Sequence, residues 1–205
     1  MNILAFAASS SKKSINKQLA SYATRLLTTD DKNEVEMLDL NDYELPLFSE
    51  DREADLGQPQ LAKDFLTKIG ESDAVIISFA EHNGSYTVAY KNIFDWASRI
   101  NPKVFQNKPM LFLATSPGPG GASSVLATAT TSAPFFDGEV VASFSLPSFY
   151  ENFDSDQGQI SNDDINAQLM TVVNQFSQKQ TNLPFDKSPQ ANLQQVNQNS
   201  GGYHE

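Results

Sequence analysis

Four short apolar runs divide the chain, and each is followed by a polar loop and then by a segment of helical periodicity. The runs cover residues 3–8, 74–79, 110–114 and 140–144. A continuous apolar run of this length is typical of a strand that is buried on both faces of a sheet. A weaker pattern at residues 35–40 adds a fifth predicted strand. Strands that alternate with helices predict an α/β fold, in which a parallel sheet carries helices on both faces.

The helices are predicted from apolar residues that recur every three or four positions. The five predicted helices begin near Ile15, Leu61, Val88, Ala122 and Ile165. Between the second strand and the second helix, residues 42–58 are acidic and contain a proline, which predicts a loop. We also expect Gly70 to end the second helix, because glycine is the usual residue just beyond a helix C-terminus.

Length and composition predict one domain followed by a polar tail. The chain has 205 residues, which is enough for a single domain with a sizeable core. Residues 181–205 are rich in Gln and Asn, a composition that favours a tail over a packed unit. We therefore predict a domain over residues 1–180 and a tail over residues 181–205.

Charge and residue usage argue against several classes of function. A formal net charge of -11 leaves no excess of basic residues for nucleic acid or anionic lipid. With no cysteine and two histidines, we expect no disulfide, no thiol catalysis and no metal site. No apolar run approaches the ~20 residues of a membrane helix, and no basic segment precedes the first strand. These observations predict a soluble cytoplasmic protein without nucleic-acid or membrane partners.

Ligands of such sheets bind beyond the carboxyl ends of the strands, near the point where the strand order reverses. The loop after the first strand is rich in small polar side chains. They are Ser9, Ser10, Ser11, Ser14 and Asn16. Hydroxyl donors beside the unpaired N–H groups of a helix start form a phosphate cradle, which Lys12 and Lys13 could supplement. The alternative interpretation is that Ser14 or Asn16 only caps the helix.

Two further loops follow buried strands. Residues 81–85 contain His82 and the pair Asn83-Gly84, which indicate either an ordinary turn or a surface for a flat heteroaromatic ring. Residues 116–121 are rich in Pro and Gly, and glycine lets a backbone approach a ligand closely. Either loop alone is weak support for a ligand, but the three loops together indicate a ring carrying a phosphate.

Four segments in order resemble the NADPH-dependent FMN reductase family. They are residues 9–16, 45–51, 81–96 and 108–121. The most specific of them contains Glu81-His82-Asn83-Gly84-Ser85 and then Lys91-Asn92-Ile93-Phe94-Asp95-Trp96. Three residues depart from the family pattern, since Ala8, Ser11 and His82 stand where the family usually has glycine, arginine and tyrosine. We interpret Trp96 as a core or subunit-interface residue, because aromatic residues at helical spacing usually pack.

The resemblance implies a flavodoxin-like three-layer sandwich with a five-stranded parallel sheet. It implies that the phosphate of FMN binds at Ser9, Ser11, Ser14, Ile15 and Asn16. It also implies that the isoalloxazine ring binds against Glu81, His82, Asn83 and Gly84, faced by Ser116 and Gly118 from the next loop. No catalytic side chain is expected, because the flavin carries the chemistry.

The function that the resemblance implies is an NAD(P)H-dependent oxidoreductase. A hydride would pass from NAD(P)H to FMN, and electrons would then pass to flavin, a quinone or another small acceptor. The family also implies a homodimer or a homotetramer. One alternative is a flavodoxin-like electron carrier without NAD(P)H activity, which the acidic composition favours because acidic faces suit basic redox partners. A second alternative is a family member that has lost FMN through the changes at Ser11 and His82.

Overall fold

A single five-stranded sheet organises the chain in the computed structural model, which describes residues 1–28 and 33–181. The strands are β1 (Asn2–Ala8), β2 (Glu34–Leu38), β3 (Ala74–Phe79), β4 (Glu81–His82), β5 (Ser85–Tyr86), β6 (Lys108–Thr115), β7 (Gly138–Leu146), β8 (Phe153–Asp154) and β9 (Gln159–Ile160). The large sheet has the order β2-β1-β3-β6-β7, and all its neighbours are parallel. This is the strand order of flavodoxin, so the predicted fold class is confirmed.

Helices cover both faces of the sheet. They are α1 (Ile15–Leu27), α2 (Glu50–Leu56), α3 (Gln60–Glu71), α4 (Val88–Ile100), α5 (Ser123–Ser132), α6 (Phe149–Asn152) and α7 (Asp163–Thr181), with 3-10 turns at Leu40–Tyr43 and Ala133–Phe136. Buried residues of α3, α4 and α5 share one core with alternate residues of β1, such as Leu4 and Phe6. Buried residues of α1 and α7 share the other core with Ile3 and Ala5. The sheet and the helices on each of its faces make the three predicted layers, with one core on each side of the sheet.

The predicted loop at residues 42–58 is wrong in part, because it contains the end of a 3-10 turn and the whole of α2. Ser49 caps α2 by accepting a hydrogen bond at its side chain from the N–H of Arg52, at 3.2 Å. Acidic residues fill the first turn of α2, where they suit the positive end of the helix dipole. No residue of α2 is buried, so the helix has no apolar stripe that a sequence pattern could show.

The predicted helix end at Gly70 is also wrong, because α3 continues through Gly70 to Glu71. A Cβ atom at position 70 would lie 2.9 Å from the side-chain oxygen of Gln106. A larger residue at position 70 would therefore require the side chain of Gln106 to shift. The glycine that does follow a helix is Gly57, with a φ of 67° after α2.

The segment after β7 holds three elements that the sequence did not predict, namely α6 and the hairpin of β8 and β9. They are two to four residues long, too short for any periodicity. None of the helices within the described ranges is both long enough and apolar enough to cross a membrane. The predicted tail lies outside the described residues from position 182 onward, so its boundary with the domain stays a prediction.

Candidate functional site

The three loops selected from the sequence meet at one edge of the sheet. The parallel register places Ala8 beside Phe79 and Phe79 beside Ala114, so β1, β3 and β6 end at the same level. The loop after each of these strands therefore rises from neighbouring points of a single edge. The edge lies beyond the carboxyl ends, where ligands of this fold class bind.

The loop after β1 presents several hydrogen-bond donors at the start of α1. Ser9 and Ser14 are buried, and each side-chain oxygen already accepts a backbone N–H, from Ser11 at 3.1 Å and from Lys17 at 3.2 Å. Their hydroxyl hydrogens thus remain free to donate. As the first two residues of α1, Ile15 and Asn16 have N–H groups without an acceptor within the described residues. These four donors make a cradle that suits a phosphate.

The side chain of Asn16 was expected to bind the phosphate, but it makes hydrogen bonds within the protein instead. It is only 2% exposed, and its amide nitrogen donates to the carbonyl oxygen of Thr115 at 3.0 Å. Its amide oxygen accepts from the N–H of Thr115 at 3.0 Å and from the hydroxyl of Ser78 at 2.8 Å. The side chain therefore joins α1 to β3 and β6, and only the backbone N–H of Asn16 is available to a phosphate.

Three residues in the middle of the same loop point outward. Ser11, Lys12 and Lys13 are exposed, and none of their side chains has a hydrogen bond or an ion pair within the described residues. Lys12 and Lys13 line a groove beside α1 together with Ser14 and Lys17. The two lysines thus carry positive charge to the outer side of the helix.

The loop after β3 is a tight hairpin made by β4 and β5. Asn83 and Gly84 form its two-residue turn, with φ values of 53° and 76°. Positive φ at both positions is typical of a type I′ turn, which explains the Asn-Gly pair. His82, Asn83 and Gly84 are all exposed, and a Cβ atom at Gly84 would meet no atom within 4 Å. The tip of the hairpin therefore borders open space, as the predicted ring surface requires.

Glu81 connects this hairpin to α5, the helix that follows the third loop. The residue before α5 is Ala122, which has no side chain that can cap the helix. A side-chain oxygen of Glu81 accepts the N–H of Val125 in the first turn of α5 instead, at 2.9 Å. The family resemblance implies that Glu81 lies at the ring surface, and in the structure its carboxylate caps α5. The sequence does not show this contact, because 43 residues separate Glu81 from Val125.

Replacing Glu81 with alanine should lower the free energy of unfolding by about 1–2 kcal/mol, because the first turn of α5 loses its acceptor. Glu81→Gln keeps an oxygen at the same place and should lose about half as much. Chemical denaturation of the three proteins measures both changes. Glu44→Ala is the matched control, since Glu44 is exposed and has no hydrogen bond or ion pair within the described residues. Equal stability of Glu81→Ala and the control would contradict the capping role.

Backbone hydrogen bonds fix the loop after β6, and one side of the loop borders open space. The carbonyl oxygen of Gly118 accepts the N–H groups of Gly121 and Ser148, and that of Ser116 accepts the N–H of Phe149. A Cβ atom at Gly118 would meet no atom within 4 Å. Gly118 lies in the loop that leads into α5, and Glu81 joins the hairpin to the first turn of that helix.

Thr87 is a site-organising residue that the sequence analysis missed. Its side-chain oxygen donates to the carbonyl oxygen of Ala8 at 2.9 Å and accepts the N–H of Tyr90 at 3.2 Å. Thr87 thereby caps α4 and fixes the start of that helix to the end of β1. Its position directly before an apolar-periodic segment is the signal that could have identified it as a cap.

The second half of the segment at residues 81–96 has a packing role. Asn92 donates to the carbonyl oxygens of Leu45 and Pro46 at 3.1 Å and accepts the N–H of Phe48 at 2.8 Å. The indole N–H of Trp96 also donates to the oxygen of Pro46, at 2.7 Å. Trp96 is fully buried, which confirms the interpretation of Trp96 as a core residue. Two of the four segments that resemble the family therefore hold each other in place.

Comparisons with known proteins agree with this geometry. A family model described as NADPH-dependent FMN reductase matches residues 1–151. The 2-hydroxy-1,4-benzoquinone reductase of Burkholderia sp is 28% identical over 171 residues, which cover 81% of this chain and 88% of that protein. The NADPH:quinone oxidoreductase of Arabidopsis thaliana is 35% identical over 91 residues, or 44% of this chain. The match spans about half the length of the Arabidopsis protein, at 45%.

A solved structure extends the likeness to nearly the whole described chain. FerB from Paracoccus denitrificans, a flavoenzyme NAD(P)H:(acceptor) oxidoreductase, has a TM-score of 0.69 and 25% sequence identity to this chain. The alignment covers 88% of this chain and 97% of FerB. Because the family model matches well over half of the residues and the strand order agrees, the chain belongs to the NADPH-dependent FMN reductase family of flavodoxin-like oxidoreductases.

Proposed function

We propose that this chain binds FMN at the edge formed by β1, β3 and β6, oxidises NAD(P)H there and reduces a quinone. The observation that carries the proposal is the level ending of these strands, which brings the donors of the first loop and two open glycine-containing loops to one edge. Membership of the family supplies the flavin and the reductant. At this edge, the first loop would bind the phosphate of FMN and the two glycine-containing loops would border its ring.

The residues present fit FMN. A phosphate needs several donors around one point, and the hydroxyls of Ser9 and Ser14 with the N–H groups of Ile15 and Asn16 provide them. The exposed hydroxyl of Ser11 is the remaining candidate from this loop. A flat ring needs an open surface without protruding side chains, which Gly84 and Gly118 provide. We assign His82, Asn83 and Ser116 to the border of the ring surface on the same basis.

When bound, FMN supplies the redox chemistry, in which two electrons pass from NAD(P)H to the acceptor. The protein has to hold the phosphate and keep the ring surface open, because a redox cofactor leaves only binding, orientation and electrostatics to the chain. Dipolar donors at the start of α1 can hold a phosphate dianion without a buried counter-charge. Transfer of the hydride to the flavin requires no acid or base from the protein. Reduction of a quinone to a hydroquinone also takes up one proton, which solvent at the open edge would supply, so no side chain is assigned as an acid or base.

A quinone is the proposed acceptor. Two relatives bear names that state quinone reduction, and the Burkholderia protein aligns over most of both chains. The open space at the tips of the hairpin and of the third loop would admit a second flat molecule beside the flavin. Stacking of two flat reactants at contact distance lowers the barrier by orientation alone.

The test combines a spectrum with an assay. Purified protein that is incubated with FMN and then desalted should retain an absorption band near about 450 nm, which belongs to the flavin. It should oxidise NADPH faster with 1,4-benzoquinone than without an acceptor. Retained FMN without oxidation of NADH or NADPH would leave the electron carrier as the function. No retained FMN at all would refute both functions, and the changes at Ala8, Ser11 and His82 would be the first explanation to test.

We also propose that the protein works in the cytoplasm, where reduced nicotinamide nucleotides are supplied to soluble reductases. The acidic composition and the absence of cysteine are consistent with this location. Fractionation of cells that produce the tagged protein measures the distribution, and recovery with the membrane fraction would contradict the proposal.

A homodimer through the face of α4 and α5 is the proposed assembly. The two helices flank a cavity of about 240 Å³ that is lined mainly by aromatic rings. The rings belong to Phe79, Tyr86, Tyr90, Phe94, Phe105, Phe112 and Phe136. Directly beside Phe136, the apolar side chain of Phe135 is 75% exposed. A protruding ring next to an aromatic cavity makes the face self-complementary, which a two-fold symmetric contact requires.

Changing Phe135 to aspartate should convert the dimer to a monomer, because a carboxylate cannot enter an aromatic cavity without losing its hydration. Light scattering after size-exclusion chromatography measures the mass. Met170→Asp is the matched control, because Met170 is also an exposed apolar residue but lies on α7, at the other face of the sheet. A monomeric wild-type protein, or a dimer that persists in Phe135→Asp, would refute this interface.

A further inference from the structure

Nine of the twelve lysine and arginine side chains in the described part of the chain form an ion pair or a hydrogen bond. Six of them form ion pairs: Lys17, Lys68, Lys91, Arg99, Lys103 and Lys179. Arg25, Arg52 and Lys108 donate instead to backbone carbonyl oxygens. Lys12, Lys13 and Lys63 are the described lysines whose side chains have neither an acidic partner nor a hydrogen bond. In a chain of net charge -11, two adjacent unpaired lysines are a local excess of positive charge.

Lys12 and Lys13 line a groove of about 370 Å³ that also contains Lys17 and Arg25. The groove follows one face of α1 from Ser14 to Arg25, about 16 Å at the usual helical rise. None of the residues that line it is acidic. The groove is therefore a cationic strip about 16 Å long on an otherwise acidic protein.

The far wall of the groove is fixed in place. Ser155 and Gly158, from the turn between β8 and β9, line it. The guanidinium of Arg25 donates to the carbonyl oxygen of Gly158 at 2.8 Å, which fastens this turn to α1. At the middle of the groove, the hydrogen bond from Lys17 lowers the pKa of Asp39 to about 2, so this carboxylate is ionised at neutral pH and remains bound to Lys17 at 2.6 Å. Of the four cations that line the groove, Lys17 is therefore bound to Asp39 and Arg25 to Gly158. The side chains of Lys12 and Lys13 are available to a ligand.

We propose that this groove binds the adenosine end of NADPH and that Lys12 and Lys13 contact its 2′-phosphate, which favours NADPH over NADH. The inference rests on the proposed function, since it concerns the reductant of the same reaction. A 2′-phosphate is a dianionic monoester, and two adjacent ammonium groups match its charge. The hydroxyls of Ser21 and Ser155 and the amide of Gln18 offer hydrogen bonds to a ribose and a base.

Position favours the reductant over FMN as the ligand of the two lysines. The flavin phosphate has its own donors in the hydroxyls and N–H groups at the start of α1. The groove begins beside that cradle and continues along the outer face of the helix, away from the edge of the sheet. A second phosphorylated ligand would therefore lie next to the first, and in an NAD(P)H-dependent flavin enzyme that ligand is the dinucleotide.

The test uses the FMN-loaded protein and two nucleotides that differ only by the 2′-phosphate. Isothermal titration with adenosine 2′,5′-bisphosphate and with adenosine 5′-monophosphate measures the two affinities directly. The wild type should bind the bisphosphate at least tenfold more tightly, and added salt should reduce the difference because exposed charges are screened. In Lys12→Ala/Lys13→Ala the tenfold preference should disappear, and KM for NADPH should rise towards KM for NADH.

Lys63→Ala is the matched control, because Lys63 is an equally unpaired, exposed lysine on α3 at the other face of the sheet. It should keep the preference for the bisphosphate. Equal binding of the two nucleotides by the wild type would overturn the proposal. So would a double variant that loses FMN affinity yet keeps the preference, since the lysines would then serve the flavin phosphate. If the protein binds no flavin, the same titration on the flavin-free protein still decides whether the groove recognises a 2′-phosphate, separately from the failure of the proposed function.

Discussion

Asn16→Ala is expected to lower the free energy of unfolding by about 3–6 kcal/mol, the largest stability effect predicted for a single side chain of the site. The carboxamide makes three buried hydrogen bonds, two with the backbone of Thr115 and one with the hydroxyl of Ser78. Alanine leaves three buried polar groups without their partner, and each costs about 1–2 kcal/mol. A loss of this size is a large part of the total stability of an ordinary domain.

Urea denaturation followed by circular dichroism measures the effect. Asn174→Ala is the matched control, since the side chain of Asn174 is exposed on α7 and makes no hydrogen bond within the described residues. It should change stability by less than about 0.5 kcal/mol. Asn16→Asp tests the donor separately. A carboxylate of the same shape cannot donate to Thr115, and burying its charge is costly, so this variant should be destabilised strongly at neutral pH. A loss below about 1 kcal/mol in Asn16→Ala would show that water replaces the carboxamide.

The double variant Ser9→Ala/Ser14→Ala is expected to bind FMN at least about 100-fold more weakly than the wild type. Both hydroxyls already accept a backbone N–H, so each can direct its hydrogen to the phosphate. A hydrogen bond to a charged group contributes about 1.5–3 kcal/mol, and two of them exceed the roughly 2.7 kcal/mol that correspond to 100-fold. Quenching of flavin fluorescence during titration measures the affinity.

Ser14 also caps α1, so the binding effect has to be separated from helix stability. Ser14→Asp keeps an oxygen that can accept the N–H of Lys17, and the acidic side chain suits the helix start. It should therefore retain the stability of the wild type while repelling the phosphate. Ser10→Ala controls for the loop itself, because Ser10 is exposed and has no hydrogen bond within the described residues. Firm FMN binding by Ser14→Asp would place the phosphate elsewhere.

The fold could be predicted because its strands carry their own signature. Strands buried on both faces read as continuous apolar runs, and polar loops separated them from helices of clear periodicity. The weak pattern at residues 35–40 corresponds to β2, an edge strand of which only Leu38 is buried. Helix α2 could not be predicted, because a helix that buries nothing leaves no apolar stripe.

The three loops that meet at the edge of the sheet could be predicted, but the side-chain contacts within and between them could not. The strand ends select three loops, and the structure brings all three to one edge. The sequence shows the residue types Asn16 and Glu81 but not that their side chains bond to Thr115 and Val125, since such contacts depend on the packed sheet. The residues assigned to FMN remain predictions, and the structure adds only that the donors and the open surfaces are in place.

The hydrogen bonds that tie the three loops together join positions far apart in the chain. Thr115 is 99 positions from Asn16, Thr87 is 79 from Ala8, and Ser78 is 62 from Asn16. We expect contacts of such separation to form late in folding. Closing a long loop lowers the entropy of the chain before the contact contributes any stabilising free energy. The edge therefore does not exist in a chain that has been synthesised only as far as β3, and it is complete only after β6 has joined the sheet. A flavin that binds this edge must stabilise the assembled sheet as a whole, by an amount set by its concentration relative to Kd.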